Sequence, residues 1–259
     1  MAKRSRNKQA ARERVARMRA EQARRRRRRI RVAGSAAAAA VIAVVAGIVL
    51  AVTGGGSGAM TGAPSGLSLA SLSTLGALQP APAPGATGSE GVPVPAVAPL
   101  AGTATAATGQ PVDQIDCQTG EQTLFHIHAH LAIFVNGKAR QVPAAIGVPG
   151  AQAQETPNGP FIAAGTCFYW LHTHAADGII HIESPVHRTY TLGEFFDEWG
   201  QPLGPAQVGP AAGRVVALYN GKVYRGNPRD IPLTAHAQIQ LDIGTPLIAP
   251  QPVSFPAGL

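Results

Sequence analysis

A two-residue spacing of histidines constrains the fold of this chain more than any other feature of its sequence. Six histidines fall in three short runs: FHIHAHLAIF carries His126, His128 and His130, YWLHTH carries His172 and His174, and GIIHIE carries His181. Two residues is the period of a β-strand, so each run is expected to place its imidazoles on one face of a sheet. Imidazole is the commonest metal-ligating side chain. The spacing therefore predicts β-structure and points to a metal site.

The first run has two faces of different character. Every second residue from Phe125 to Val135 is apolar, whereas His126, His128 and His130 lie between them. Because alternate side chains of a strand point to opposite sides, the apolar set is expected to face the core. The three histidines then face solvent, a cleft or a second layer of the domain.

The second and third runs are predicted to form a hairpin, because the Asp177-Gly178 pair between them favours a tight turn. A two-residue loop would oppose His174 to His181, and a four-residue loop would oppose His172 to His181. Opposed residues of an antiparallel pair share a face. Either register therefore places four side chains on one face: His172, His174, His181 and Glu183. An odd loop or a bulge would break this arrangement.

Imidazoles at these separations can converge on one metal ion. Opposed side chains have Cβ atoms about 4.5–5.5 Å apart, and zinc binds imidazole nitrogen at about 2.0–2.1 Å. We expect copper or zinc to be bound by six histidines: His126, His128, His130, His172, His174 and His181. Glu183 or Asp177 is expected to orient a ligand or to act as an acid or base. With Glu183 as a ligand, the set would instead resemble the two-histidine, one-carboxylate ferrous site.

Two further histidines are expected to be bystanders. His236 shares a predicted strand face with Gln238, Gln240 and Asp242, which we interpret as a solvent-exposed face. His187 lies in the predicted surface loop SPVHRTY.

The sequence contains neither a Gly-rich phosphate-binding loop nor a nucleophile-elbow motif.

The first 31 residues are strongly basic. They contain 15 of the 22 lysines and arginines but two of the 14 acidic residues, a net charge of +13 against −5 for the rest of the chain. No aromatic residue interrupts this tail, so the stacking platform of single-strand nucleic-acid binders is missing and no nucleic-acid partner is expected. We interpret the tail as a cytoplasmic segment lying on an anionic inner leaflet.

The following 21 residues, 32–52, are uncharged and mostly apolar. At 1.5 Å per residue they are long enough to cross about 30 Å of hydrocarbon, which predicts a single transmembrane helix. The Arg24–Arg29 block before it should stay in the cytoplasm and place the C-terminal part outside. A cleaved signal peptide is the alternative, and it would export the same domain.

Residues 53–112 are expected to form a disordered linker. They contain eight prolines and a single charged residue, Glu90, a composition that cannot bury enough apolar surface to offset the entropy of ordering. The remaining residues, 113–259, are long enough for one extracytoplasmic domain with its own core.

That domain is predicted to be α+β and mostly β, with antiparallel hairpins and one short helix. Strands are predicted at 124–135, 138–143, 166–174, 179–184, 214–219, 222–225 and 235–243. The Asn-Gly pairs in FVNGKAR and LYNGKVY predict hairpin turns. A helix is predicted at Leu192–Trp199, with Thr191 as its cap, Glu194 completing a capping box and Gly200 ending it.

Cys117 and Cys167 are the two cysteines of the chain. Both follow the expected membrane span, and in an oxidising compartment they are expected to form one disulfide. Metal-binding thiolates or free thiols are the alternative.

The motif string HIHAHLAIFVNGK, YWLHTHAADGIIHIESP, YTLGEFFDEWG and a YNGK hairpin resembles an uncharacterised family of exported or membrane-anchored bacterial proteins. The resemblance covers about 125–244 and implies that the domain is a recurring unit. It carries no activity and no defined metal.

The sequence thus predicts a single-pass protein of the cell membrane whose external domain binds copper or zinc, for metal handling or as a structural site. A metal-dependent enzyme with an open coordination position is the first alternative. A metal-free module that binds a partner or senses pH is the second, because imidazole becomes charged near pH 6.5. No protein partner is indicated.

Overall fold

The computed structural model describes residues 72–103 and 107–259, which belong to one compact unit spanning Pro64–Leu259. The basic tail and the expected membrane span, residues 1–52, lie outside the described residues. In the part of the chain that is described, no helix has both the length and the apolar character needed to cross a bilayer.

A seven-stranded sheet forms the centre of the domain. In chain order its strands are β1 (Phe125–Val135), β2 (Lys138–Arg140), β3 (Leu171–His172), β4 (Ile179–Ser184), β5 (Val215–Tyr219), β6 (Lys222–Tyr224) and β7 (Ala237–Ile243). The order across the sheet is β3-β4-β1-β7-β5-β6, and β2 pairs with the second half of β1. Strands β1 and β7 are parallel, and the other pairs are antiparallel.

Short strands surround this sheet. They pair as Leu78–Gln79 with Leu247–Ile248, Ala86–Thr87 with Pro93–Val94, Cys117–Gln118 with Phe168–Tyr169, Gln152–Thr156 with Gly159–Ala164, and Tyr190–Thr191 with Pro232–Leu233. A small three-stranded sheet contains Leu203–Gly204, Gln207–Val208 and Ala211–Ala212. The predicted strand at 166–174 is interrupted at Trp170, which lies between two short strands. The α+β, mostly β class is confirmed.

The single α-helix described, α1 (Leu192–Glu198), begins and ends where its sequence signals place it. Thr191 caps it, and a reciprocal bond joins the Thr191 backbone N–H to the Glu194 carboxylate at 2.7 Å. Trp199 is the C-terminal cap, and Gly200 follows with φ of +65°. Four large apolar side chains at its core-facing positions are fully buried: Leu192, Phe195, Phe196 and Trp199.

The main core lies between α1 and one face of the central sheet. Ala129, Leu131 and Ile133 of β1 are buried there with the aromatic side chains of α1, which confirms the predicted direction of the apolar face. We call this side of the sheet the core face and the opposite side the histidine face. A 3₁₀ turn at Pro228–Asp230 lies beside α1.

Both Asn-Gly turns are present. Asn136 and Gly137 have φ of +50° and +74°, and Asn220 and Gly221 have φ of +51° and +74°. Positive φ at both central residues is the geometry of a type I′ turn, which suits the twist of the flanking strands.

The two cysteines form a disulfide. Cys117 and Cys167 are bonded, and their Cα atoms lie 5.4 Å apart. The two residues are separated by 50 positions in the sequence. The disulfide is thus confirmed, and it links the paired strands Cys117–Gln118 and Phe168–Tyr169.

Part of the expected linker is folded onto the domain. Within residues 72–103, Val92 is fully buried, Leu100 is buried, and the Leu100 N–H donates to the Gln141 carbonyl at 2.9 Å. A proline-rich segment cannot build a core alone, but here it adds apolar side chains and backbone hydrogen bonds to a sheet that already exists. We expected disorder because this segment cannot bury enough apolar surface within itself. For residues 72–103 that expectation was wrong, since side chains such as Leu100 are buried against the rest of the domain.

The predicted solvent face of β7 is also partly covered. His236 is exposed, as expected, but Gln240 and Asp242 are buried. The Asp242 carboxylate accepts from the Ile248 N–H at 2.9 Å, and Gln240 accepts from the Gln251 N–H at 3.4 Å. The C-terminal segment therefore supplies a second layer over this end of the histidine face.

Candidate metal centre

Strands β3, β4 and β1 are neighbours, and they bring the three histidine runs together. His172 opposes His181 on β4, and His181 in turn opposes His128 on β1. Two pairs further along, Glu183 opposes His126. Since opposed residues share a face, all five side chains lie on the histidine face. The register is that of the four-residue loop.

The loop before β4 is held by its Asp-Gly pair. The Asp177 carboxylate accepts from the Ile179 N–H at 3.0 Å, and Gly178 has φ of +88°. The Leu131 N–H of β1 donates to the Gly178 carbonyl at 2.9 Å. A Cβ atom at Gly178 would lie 2.4 Å from the Leu131 carbonyl oxygen. Glycine is therefore required where the hairpin meets β1.

Four side chains form what we call the first donor group: His126, His128, His181 and Glu183. The His128 Nε2 atom lies 3.1 Å from both His126 Nε2 and His181 Nδ1. The Glu183 Oε1 atom lies 3.0 Å from His126 Nε2 and 3.4 Å from His181 Nδ1. Donors about 2.0–2.1 Å from a tetrahedral ion stand about 3.3–3.4 Å apart. Four of the six separations in the group are thus close to those edges, and all six are within 4.8 Å.

An overlapping set forms the second donor group: His172, His174, His181 and Glu183. The Nε2 atoms of His172 and His174 lie 3.1 Å apart. The other ring nitrogen of each residue bonds a backbone carbonyl, His172 Nδ1 to Tyr169 O at 2.8 Å and His174 Nδ1 to Ile162 O at 2.5 Å. A carbonyl only accepts, so both Nδ1 atoms carry protons and both Nε2 atoms of the neutral rings present lone pairs.

Two glutamates that the sequence did not predict complete the cluster. The His181 Nε2 atom donates to Glu90 Oε1 at 2.6 Å, and Glu121 Oε1 lies 3.5 Å from His174 Nε2. Glu90 is the single charge in the expected linker, and that isolation was the one signal that could have identified it. No pattern in the sequence distinguishes Glu121.

Burial keeps most of these rings neutral. It lowers the pKa of His128 to about 3 and, with neighbouring imidazoles, lowers the pKa of His172 and His174. Neutral imidazole is the form that binds metals. Burial also acts to lower the pKa of His181, but its hydrogen bonds to Glu183 and Glu90 outweigh burial and raise it to about 9. Hydrogen bonds from His126 and His181 hold the pKa of Glu183 below its usual range, against the effect of burial.

Aromatic rings cover the second donor group. Phe161 stacks on His174 with ring centroids 4.5 Å apart and planes 7° apart, and Phe168 meets His172 at 5.5 Å. His126, with 37% of its side chain exposed, lies at the solvent edge of the first donor group. The first donor group is therefore exposed to solvent at His126.

His130 lies outside both donor groups. Its Nε2 atom donates to the Asp177 carbonyl at 3.0 Å. His130 and Asp177 line a neighbouring cavity of about 420 Å³ between the 82–95 and 251–254 segments. Burial and the nearby Glu90 raise the pKa of the Asp177 carboxyl to about 7. The structure thus brings together five of the six predicted histidines with Glu183 and places the other two predicted residues beside them.

Neither of the two bystander histidines belongs to a donor group. His187 is exposed, and its ring lies 4.4 Å from that of Phe125. His236 stacks on Phe255 at 4.6 Å and bonds the Leu259 carbonyl at 2.9 Å.

Comparisons with known proteins add no relative from which a role could be transferred: no protein-family model, no curated protein and no solved structure matches this chain. The function of the cluster has to be inferred from its geometry, which shows buried histidine and glutamate groups that could hold a metal ion.

Proposed function

We propose that this protein binds a transition metal ion, copper or zinc, in the first donor group, for metal handling or as a structural site. The observation that carries the proposal is the set of four donor atoms that lie within 4.8 Å of one another, with four of their six separations at 3.0–3.4 Å, close to the edges of a tetrahedron around one ion. Without metal, the protonated His181 ring donates to its neighbours, and a metal ion that displaces the Nδ1 proton would bind all four donors.

The surroundings of the group support the same conclusion. Glu90 accepts from the Nε2 atom of His181, which leaves the Nδ1 atom facing the other donors. A carboxylate that holds the second nitrogen of a ligating histidine fixes its ring orientation and raises its basicity. Glu183 is 3% exposed, and its described ion-pair partners are histidines rather than lysine or arginine. A buried carboxylate is costly unless a cation balances it, a role that protonated His181 fills without metal and that a bound metal ion would take over.

Three imidazoles and one carboxylate would fill a tetrahedral ion. This favours binding over catalysis, because a catalytic zinc site keeps one position for water or substrate. An enzyme would need Glu183 to leave the ion and act as an acid or base.

We also propose that the domain lies outside the cytoplasm, anchored by residues 32–52 with the basic tail on the anionic inner leaflet. The disulfide between Cys117 and Cys167 supports this location, since disulfides persist in oxidising compartments and are rare in the cytosol. Resistance of the full-length protein to alkaline extraction from membranes, with protease access from outside, tests the anchor independently of the metal.

Metal analysis of the purified full-length protein tests the binding proposal. After chelator treatment and titration with Zn²⁺ or Cu²⁺, we expect tight uptake by the wild type and a loss of affinity of at least tenfold in His128→Ala. His187→Ala is the matched control, because it removes an exposed histidine that contacts no donor atom. Absence of metal above trace, together with no uptake on titration, would overturn the proposal.

Azide separates a filled site from an open one. If Glu183 completes the coordination, azide leaves the visible spectrum of the copper-loaded wild type unchanged. In Glu183→Ala an open position is created, and azide is expected to shift that spectrum. A shift of equal size in the wild type would favour the enzyme.

A further inference from the structure

We infer that the cluster holds two metal ions, the second bound by His172 and His174 and joined to the first through the shared Glu183 carboxylate. The inference rests on the proposed function, since it adds a second ion to the same cluster. It is carried by the separation of the donor atoms, by the fixed protons of His172 and His174, and by the sharing of Glu183 between both donor groups.

One ion cannot reach all of these donors. Two atoms bound by one ion at about 2.0–2.1 Å lie no more than about 4.2 Å apart. Each donor group fits within 4.8 Å, but among the described residues no group within that distance combines the β1 histidines with the His172–His174 pair. An ion in the first donor group is therefore not bound by that pair.

The His172–His174 pair needs a cation of its own. Both Nδ1 protons are committed to backbone carbonyls, so the two Nε2 lone pairs face each other at 3.1 Å. Both residues are buried, where an unpaired polar group costs most. A proton on one Nε2 could join the rings, but it would bind one lone pair covalently and leave the other as an acceptor. A metal ion binds both lone pairs, and the carboxylates of Glu121 and Glu183 lie where they can offset its charge.

The carboxylates around the cluster provide further ligands. Glu183 belongs to both donor groups; its Oε1 atom contacts the first, and its Oε2 atom is buried without a hydrogen-bond partner. A carboxylate with one oxygen free can bridge two cations. Glu121 Oε1, 3.5 Å from His174 Nε2, lies where it can complete the second ion's coordination. Glu90, Glu121 and Glu183 would together offset most of the charge of two divalent ions.

The stoichiometry and the magnetism of copper test this inference on the full-length protein. We expect two equivalents of Cu²⁺ per chain in the wild type and one in His172→Ala. Two copper ions that share a carboxylate couple magnetically, so the wild-type electron paramagnetic resonance signal should integrate to less than its copper content. The single ion in His172→Ala should give a full, uncoupled signal.

The outcomes separate the two proposals. No copper in the wild type would overturn the proposed function itself. One equivalent in both proteins would overturn the second ion alone and leave the first donor group intact. Two equivalents in both proteins, or two uncoupled ions in the wild type, would also overturn this inference. His174→Gln provides a second test should His172→Ala fail to fold, and His187→Ala should retain both ions and their coupling.

Discussion

The two faces of the central sheet are both buried, but different interactions complete them. The core face is closed by apolar side chains of the sheet and by the aromatic side chains of α1. The histidine face collects imidazoles and carboxylates whose donor atoms crowd together at 3.0–3.4 Å. Apolar contacts need no further partner, whereas converging lone pairs do. The first face thus stabilises the fold by itself, and in our proposal a metal ion completes the second.

Two buried glutamates show the same contrast in their ionisation. Glu183 on the histidine face has histidine nitrogens at 3.0 and 3.4 Å, and its pKa is held low. Glu198 in α1 is fully buried, neither of its carboxyl oxygens has a hydrogen-bond partner, and burial raises its pKa well above the usual value. Glutamate is thus an anion on the histidine face, at Glu183, and a neutral acid beside the core face, at Glu198.

The largest effect is expected from the core face. Phe196 is fully buried against the sheet, and Phe196→Ala should lower the free energy of unfolding by about 3–5 kcal/mol because it leaves a cavity. Urea unfolding with and without chelator measures the loss, which should be the same in both. Val186→Ala, at an exposed position, should change stability by less than about 0.5 kcal/mol. A loss that disappears on adding metal would contradict the independence of the two faces.

Metal should stabilise the protein through the histidine face. At a free zinc concentration about 100 times the dissociation constant, stability should rise by about 2.7 kcal/mol, since the ion binds the folded state. Thermal unfolding with zinc and with chelator measures this gain. Phe196→Ala should keep it and His128→Ala should lose most of it. An equal gain in His128→Ala would place the stabilising ion elsewhere.

The sequence predicted the elements that local chemistry determines. The alternation in β1 identified its core face, the Asn-Gly pairs located two turns, and the Thr191–Glu194 capping box located α1. The parity of the AADG loop was enough to place His172, His181 and Glu183 on one face. Each of these signals lies within a few residues of the element that it specifies. Such local signals can be read from one sequence without knowing which distant residues are in contact.

Long-range neighbours could not be predicted in this way. The adjacency of β4 and β1 depends on pairing between residues about 50 positions apart, which no local period encodes. The same limit explains why Glu90 was missed, since its partner His181 is 91 residues away. His130 has the right spacing, but the loop before β4 supplies it with the Asp177 carbonyl and turns it away from the donors.

The smallest effect concerns Glu198 and depends on pH. Its pKa in the folded protein is raised above the ordinary value of 4.5, so between that value and the raised one the unfolded chain is ionised while the folded chain keeps its proton. Ionisation then favours unfolding, and stability falls as pH rises, by up to about 1.4 kcal/mol per pH unit. Glu198→Gln cannot ionise and should lack this part of the slope. Urea unfolding of both proteins from pH 5 to pH 8, with chelator present, measures the difference. Glu155→Gln is the matched control, because that side chain is exposed in a surface strand and is solvated before and after unfolding.

Equal slopes for Glu198→Gln and the wild type would mean that Glu198 gains a compensating partner. The contrast between the two buried glutamates would then fail.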